Sequence, residues 1–202
     1  MFENITIIGC GLIGSSILRA INKNRISKKL NVYDKSKEVL SFLKKENLKV
    51  NISSEISKSV EEADLIIIAA PLSAYEEIFL SIKNNLKKNS IITDTGSAKK
   101  EINKIVENTN LQNISWIASH PIAGTEDSGP QSGFAELFEK RWCIISPSKN
   151  ARKEDVQKVK TFWEALGSKV KQMSFEEHDH ILSLTSHLPH AIAYNIVRTA
   201  IN

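Results

Sequence analysis

An α/β fold built on a doubly wound, mostly parallel sheet is predicted by three features of this sequence. Short β-branched runs alternate with segments of helical periodicity along most of the chain. The first such run, Ile5 to Ile8, stops on a glycine-rich turn, Gly9-Cys10-Gly11-Leu12-Ile13-Gly14. From Ser174 onward the strand signals cease and only helical patterning remains, which predicts the start of a second, all-helical unit.

Ile5, Ile7 and Ile8 read as a strand buried on both faces. Gly9, Gly11 and Gly14 then form G-x-G-x-x-G, and Ile17, Leu18 and Ile21 follow at helical spacing. A glycine turn between a strand and a helix N-terminus presents unpaired N–H groups and the positive end of the helix dipole to a pyrophosphate. This is a Rossmann-type dinucleotide turn. A second strand, Leu30 to Tyr33, ends on Asp34, twenty residues past Gly14. A carboxylate at that distance accepts hydrogen bonds from an adenosine ribose and repels a 2′-phosphate, so NAD is expected rather than NADP.

The next elements extend the alternation. Val39, Leu40, Phe42 and Leu43 make a helical stripe, Leu48 to Val50 a short strand, and residues 53–59 a serine-rich loop before a small helix. Ala63 to Ala70, apolar from Leu65 onward, reads as a strand ended by Pro71, and small residues at its carboxyl end, Ala70 and Pro71, would let a cofactor approach. A helix from Ala74 to about Lys88 leads to a strand ending at Asp94. In Asp94-Thr95-Gly96-Ser97, Gly96 is expected to adopt an unusual backbone angle. Ser97 is expected either to cap the next helix or to face a substrate.

The strand Ser115 to Ser119 ends on His120, which Pro121 follows. A histidine at a strand's carboxyl end, on the edge shared by the earlier turns, is placed to exchange a proton near a nicotinamide. Arg141 to Ser146, a helix closed by Gly167, and Lys169 to Met173 complete a domain over residues 1–173. Ser174 and Glu177 have the spacing of a capping box, and residues 174–202 read as helix.

Bulk properties narrow the class. With 41% hydrophobic and 25% charged residues, the 202-residue chain reads as an ordinary soluble globular protein. Its charge of +4 is spread over pairs such as Lys28-Lys29, Lys44-Lys45, Lys87-Lys88 and Lys99-Lys100, mostly at helix ends; this predicts a solvated surface, not a nucleic-acid site. The longest apolar run, Leu65 to Leu72, is too short to span a bilayer, and no signal core opens the chain. Cys10 and Cys143 lack metal or redox spacing, which fits a reducing cytoplasm. Four of the five histidines lie within 178–190, without the glutamate or cysteine partners of a zinc site. The expectation is helix packing, with one histidine turned toward the crevice and no metal. The sequence stops at Asn202 with Ile192, Ile196, Val197 and Ala200 on an uncovered helix face, which favours association.

Four motifs, Gly9-Cys10-Gly11-Leu12-Ile13-Gly14, the segment from Asp94 to Lys99, that from His120 to Gly129 and that from His178 to His190, together resemble the prephenate dehydrogenase family, which includes arogenate and cyclohexadienyl dehydrogenases. The resemblance implies an NAD-dependent oxidative decarboxylation of prephenate in tyrosine biosynthesis. His120 would take the hydroxyl proton, and Ser97 would contact the hydroxyl and help orient His120. Thr125, Glu126 and His187 would line the substrate side, and Gly9, Gly11, Leu12, Ile13, Asp34, Ala70 and Pro71 the NAD side. It further implies a homodimer formed through the helical domain. Most of that domain, with the arginine the family uses for a substrate carboxylate, is expected beyond Asn202; Arg198 lies too early to match it. Two alternatives accompany this reading: a catalytically inactive NAD-binding or dimerising protein, and a β-hydroxyacid dehydrogenase, against which the His120 motif argues.

Overall fold

The structure is a computed structural model and describes residues 2–201. Eight strands form one sheet in the order β3-β2-β1-β4-β5-β6-β7-β8. They are β1 (Asn4–Ile8), β2 (Lys29–Tyr33), β3 (Asn51–Ile52), β4 (Leu65–Ile68), β5 (Ile91–Asp94), β6 (Ser115–Pro121), β7 (Trp142–Pro147) and β8 (Lys169–Gln172). The helices α1 (Leu12–Asn24), α2 (Lys37–Lys45), α3 (Ile56–Val60), α4 (Tyr75–Ile82), α5 (Lys99–Thr109) and α6 (Lys153–Ala165) run between them. The chain then continues into α7 (Phe175–Leu182), a π-helical turn (Ser183–His187) and α8 (Leu188–Ile201).

The isoleucine-rich runs are apolar throughout because the sheet is covered on both faces. Successive residues feed opposite layers: Ile5, Ile7, Leu65, Ile67 and Ile117 pack on the α1 and α6 side. Ile8, Ile66, Ile68, Ile92, Trp116 and Ala118 pack on the side of α4 and α5. Gly9 takes φ +91°, and Gly14 brings α1 so close to the strand end that a Cβ there would lie 2.0 Å from the Gly9 carbonyl.

All neighbouring pairs from β3 to β6 are parallel, but β7 runs antiparallel to β6. Between Pro121 and Trp142 the chain forms only two short 3-10 turns. Without a crossover helix it returns along the neighbouring edge in the opposite sense. The α6 crossover then makes β8 parallel to β7. The predicted helix to Lys88 is shorter than expected, its α-helical part ending at Ile82, and the third strand lies at Asn51–Ile52 and not at Leu48 to Val50.

α7 opens as the sequence predicts, with the Ser174 hydroxyl accepting from the Glu177 amide at 3.1 Å. Pro189, the second residue of α8, has no N–H and crowds the carbonyl one turn back, and the widened π turn sits immediately before α8. None of the described residues of α8 is buried, so Leu188, Ile192, Ile196, Val197 and Ile201 form an exposed apolar face. No helix among the described residues is long and apolar enough to cross a membrane.

Candidate active site

The carboxyl ends of β1, β2 and β4 surround a cleft of about 620 Å³. Seven of the eight expected cofactor residues line it: Gly9, Gly11, Leu12, Ile13, Asp34, Ala70 and Pro71, with Thr95 and Gly96 from the end of β5. Gly14 lies behind them, where it holds α1 against the turn.

The three glycines have separate physical roles. At Gly9 the left-handed backbone angle, and a Cβ that would meet the Ala69 carbonyl at 2.6 Å, both require glycine. At Gly11, the residue that opens α1, nothing lies within 4 Å of a built Cβ. The open space there leaves the helix N-terminus approachable by an anion. Asp34 is fixed by two backbone donors, Cys10 N to Oδ2 at 2.7 Å and Ser36 N to Oδ1 at 2.8 Å. The acidic residue is thereby tied to the glycine turn it serves. These residues fit a dinucleotide: a tight turn, an unfilled approach to a helix N-terminus, and a carboxylate at the end of β2.

Next to this cleft the sheet splays. β6 pairs with β5 only at Ser115 and Trp116, then turns toward β7. Side chains take over where the ladder stops. Thr93 Oγ1 and Ser119 Oγ are 2.7 Å apart, and Asp94 Oδ1 accepts from the Ser119 amide at 2.9 Å. Asp94 also accepts from the Gly96 amide at 2.9 Å and the Tyr75 hydroxyl at 3.1 Å.

The central cation of this network is Lys99, whose Nζ lies 2.9 and 2.7 Å from the two Asp94 oxygens and also donates to the Ser119 carbonyl. Both side chains are fully buried. The sequence reading grouped Lys99 with surface lysines; the structure corrects this, because its ammonium completes the Asp94 carboxylate. Burial pulls the Lys99 pKa down, and the Asp94 charge opposes that pull.

Two further expectations are corrected. Gly96 is not in the left-handed region; glycine is required because a Cβ would meet Ile102 Cδ1 at 2.6 Å and the Asp94 carboxylate at 3.0 Å. Ser97 does not cap α5. It is exposed, and the capping residue, Ala98, offers no side-chain acceptor. The cap comes from α7: Asp179 Oδ1 accepts from the Lys99 amide and Oδ2 from the Lys100 amide, each at 2.9 Å.

His120 stands half-buried near the carboxyl end of β6, and its Nδ1 is 2.9 Å from Nε2 of His178, a fully buried histidine of α7. His178 Nδ1 in turn lies 2.7 Å from Asp179 Oδ1. Nε2 of His120 has no partner among the described residues and is not sealed from solvent. Burial first, and then the positive charge of Lys99, hold the His120 pKa down to about 3, so the imidazole is neutral near pH 7.

The remaining expected residues are less closely gathered. Thr125 and Glu126 sit exposed in the loop after β6, and His187, exposed on the π turn, makes no hydrogen bond to His120. The histidine turned inward is His178, which sequence reasoning did not single out. Its signal was present as one residue of the 178–190 cluster, but nothing local separates it from His180, two positions on. No group of three or more metal-ligating side chains converges among the described residues.

A glycine turn shaped for a pyrophosphate, with a neutral imidazole two strand positions across the sheet from β4, is the equipment of a nucleotide-dependent dehydrogenase. Residues 17–172 match the prephenate dehydrogenase nucleotide-binding domain, and residues 174–202 match the prephenate dehydrogenase dimerization domain. The chain belongs to the prephenate dehydrogenase family. It is 41% identical over 197 residues to cyclohexadienyl dehydrogenase of Zymomonas mobilis, covering 98% of this chain and 67% of that protein. It is 31% identical over 199 residues to prephenate dehydrogenase of Bacillus subtilis, covering 98% of this chain and 53% of that one. Prephenate dehydrogenase of Aquifex aeolicus, solved with hydroxyphenyl propionate and NAD+, superposes with a TM-score of 0.89 at 30% identity. That match covers 100% of this chain and 70% of the other. The chain thus spans between about half and seven tenths of these relatives.

Proposed function

We propose that this chain binds NAD in the β1–β4 cleft and supplies the base for oxidative decarboxylation of prephenate to 4-hydroxyphenylpyruvate, a step of tyrosine biosynthesis in the cytoplasm. Family membership supports the reaction class, and the named NAD complex of the Aquifex relative supports the cofactor. The observation that carries the reading is the His120 imidazole: neutral, with an open Nε2, and one strand away from Thr95 and Gly96, which line the cleft.

In this reading bound NAD would supply the hydride acceptor for the ring carbon bearing the hydroxyl, and loss of carbon dioxide would aromatise the ring. His120 Nε2 takes the hydroxyl proton. Ser97, Thr125, Glu126 and His187 supply the substrate side, and the exposed positions of all four leave them free to meet a ligand. Gly9, Gly11 and Asp34 line the dinucleotide, with Gly14 holding α1 against the turn behind them, and so orient the acceptor carbon.

The apolar face of α8 also suits the dimerisation match. Leu188, Ala191, Ile192, Ile196 and Ala200 line a shallow groove of about 640 Å³. We assign this face to contact with a second copy of the chain, and sedimentation that finds only monomer would remove the assignment.

The activity is tested by following NADH on addition of prephenate and NAD, with arogenate as a parallel substrate. His120→Asn is expected to lose turnover by at least about 100-fold while retaining NAD affinity in calorimetry. NAD binding without turnover of either substrate would instead identify a non-catalytic NAD-binding protein.

A further inference from the structure

The hydrogen-bond chain from His120 to Asp179 has only one consistent set of protons. Asp179 is bound by two backbone N–H groups at the start of α5, so its carboxylate is an acceptor and is held below the usual carboxylate range despite partial burial. A carboxylate 2.7 Å from His178 Nδ1 requires the proton on that nitrogen. Neutral His178 then has a lone pair on Nε2, and the 2.9 Å contact requires His120 to donate from Nδ1. The consequence falls on the other side of the His120 ring, where Nε2 is left unprotonated at the one position without a protein partner.

We propose that His178 and Asp179 are positioning residues that hold His120 in the Nδ1–H tautomer and receive the charge when His120 Nε2 takes a proton. This deepens the reading of His120 as the base. In the step, the substrate O–H bond breaks and Nε2–H forms on His120. The Nδ1–H proton of His120 passes to His178 Nε2. The oxygen's electron pair closes the carbonyl as the ring carbon gives up its hydride, for which bound NAD would be the acceptor. His120 ends neutral, and the imidazolium is His178, in direct contact with the Asp179 carboxylate.

The surroundings favour that placement. The charged and titratable groups acting on His120 are Lys99, His178, His187 and Asp179, of which only Asp179 is acidic. Those acting on His178 are Asp179, Lys99 and Asp94, and Asp179 is bonded to it directly. A cation on His178 is therefore closer to a compensating charge than a cation on His120.

Nitrogen-15 NMR of the imidazoles in the full chain tests the arrangement without turnover, with His120→Asn and His178→Gln assigning the signals. The expected spectrum shows protonated Nδ1 and unprotonated Nε2 on both rings. A protonated Nε2 on His120 near pH 7 would overturn the proposal. Asp179→Asn should remove the charge and keep the order, because an amide oxygen at the Oδ1 position still accepts from the Lys99 amide and His178 Nδ1, whereas Asp179→Ala leaves His178 Nδ1 without an acceptor and should free its proton to move to Nε2 and that of His120 to its own Nε2. In the prephenate assay, Asp179→Asn should lower kcat by about 1,000-fold and His178→Gln by about 100-fold, with KM for prephenate and NAD affinity within about threefold of the parent. Losses carried by KM, or by unfolding alone, would assign the pair a merely structural role. Expected tautomers in a chain that does not turn over would sink the catalytic reading and leave the tautomer assignment standing.

Discussion

Asp179 caps a helix that begins eighty residues before it, its Oδ1 lying 2.9 Å from the Lys99 amide. One carboxylate thus ties α7 to the turn that follows β5, and the same oxygen receives His178. The placement of α7, and with it of the His120 partner, depends on a helix N-terminus on the other side of the site.

Removing that cap should loosen α7 before it disturbs the sheet. Asp179→Ala is expected to cost about 1–2 kcal/mol, the usual range for a lost helix cap. Hydrogen exchange should show faster exchange in α7 and the first turn of α5, with β1 and β4 unaffected. Uniform acceleration across the sheet would contradict this account.

Lys99 and Asp94 form a fully buried pair, and breaking it from one side leaves an uncompensated charge. Lys99→Met should destabilise the protein by about 3–5 kcal/mol in denaturant titrations. Lys99→Met combined with Asp94→Asn should recover part of that loss, because the stranded carboxylate is gone. If the double variant is as unstable as the sum of the two single ones, the charge is not the cause.

Two glycine substitutions should separate folding from cofactor binding. Gly11→Ala meets nothing within 4 Å and should leave the melting temperature nearly unchanged while weakening NAD at least about tenfold, since the methyl group occupies the approach to the helix N-terminus. Gly14→Ala drives a methyl to 2.0 Å from the Gly9 carbonyl and should cost about 1–3 kcal/mol or more in stability. The pattern is read by calorimetry with NAD and by thermal melts of the free protein.

Stability should fall in mild acid through His120. Its folded value is about 3 and its ordinary value 6.5, so between these the unfolded chain binds a proton that the folded one refuses. The contribution is fully present above pH 6.5 and is lost as pH falls toward 3. His178, also lowered by burial, acts in the same direction. Urea midpoints measured from pH 7 to 4.5 should decline, and His120→Asn should flatten the decline; an unchanged slope would exclude His120 as its source.

Much of the dinucleotide half was legible because its signals are local. The Ile5–Gly14 segment contains its own strand, turn and helix start, and Asp34 follows at the end of the next strand. The reversal of β7 was less visible. Its only sign is the lack of helical periodicity between Pro121 and Trp142, and the orientation of a strand is set by its connection, not by its own residues.

By itself, the sequence determined the α/β order, the glycine turn with its acidic partner, and His120 at a strand end, since each follows from spacing within a few tens of residues. Only the tertiary structure decided that Lys99 is a buried counter-ion, that α5 is capped by Asp179 and not Ser97, and that His178 is the histidine bound to His120. The physical reason is range: hydrogen bonds between residues 58 or 80 positions apart leave no periodic trace, and a lysine, serine or histidine reads alike on a surface and in a core until packing assigns its partner.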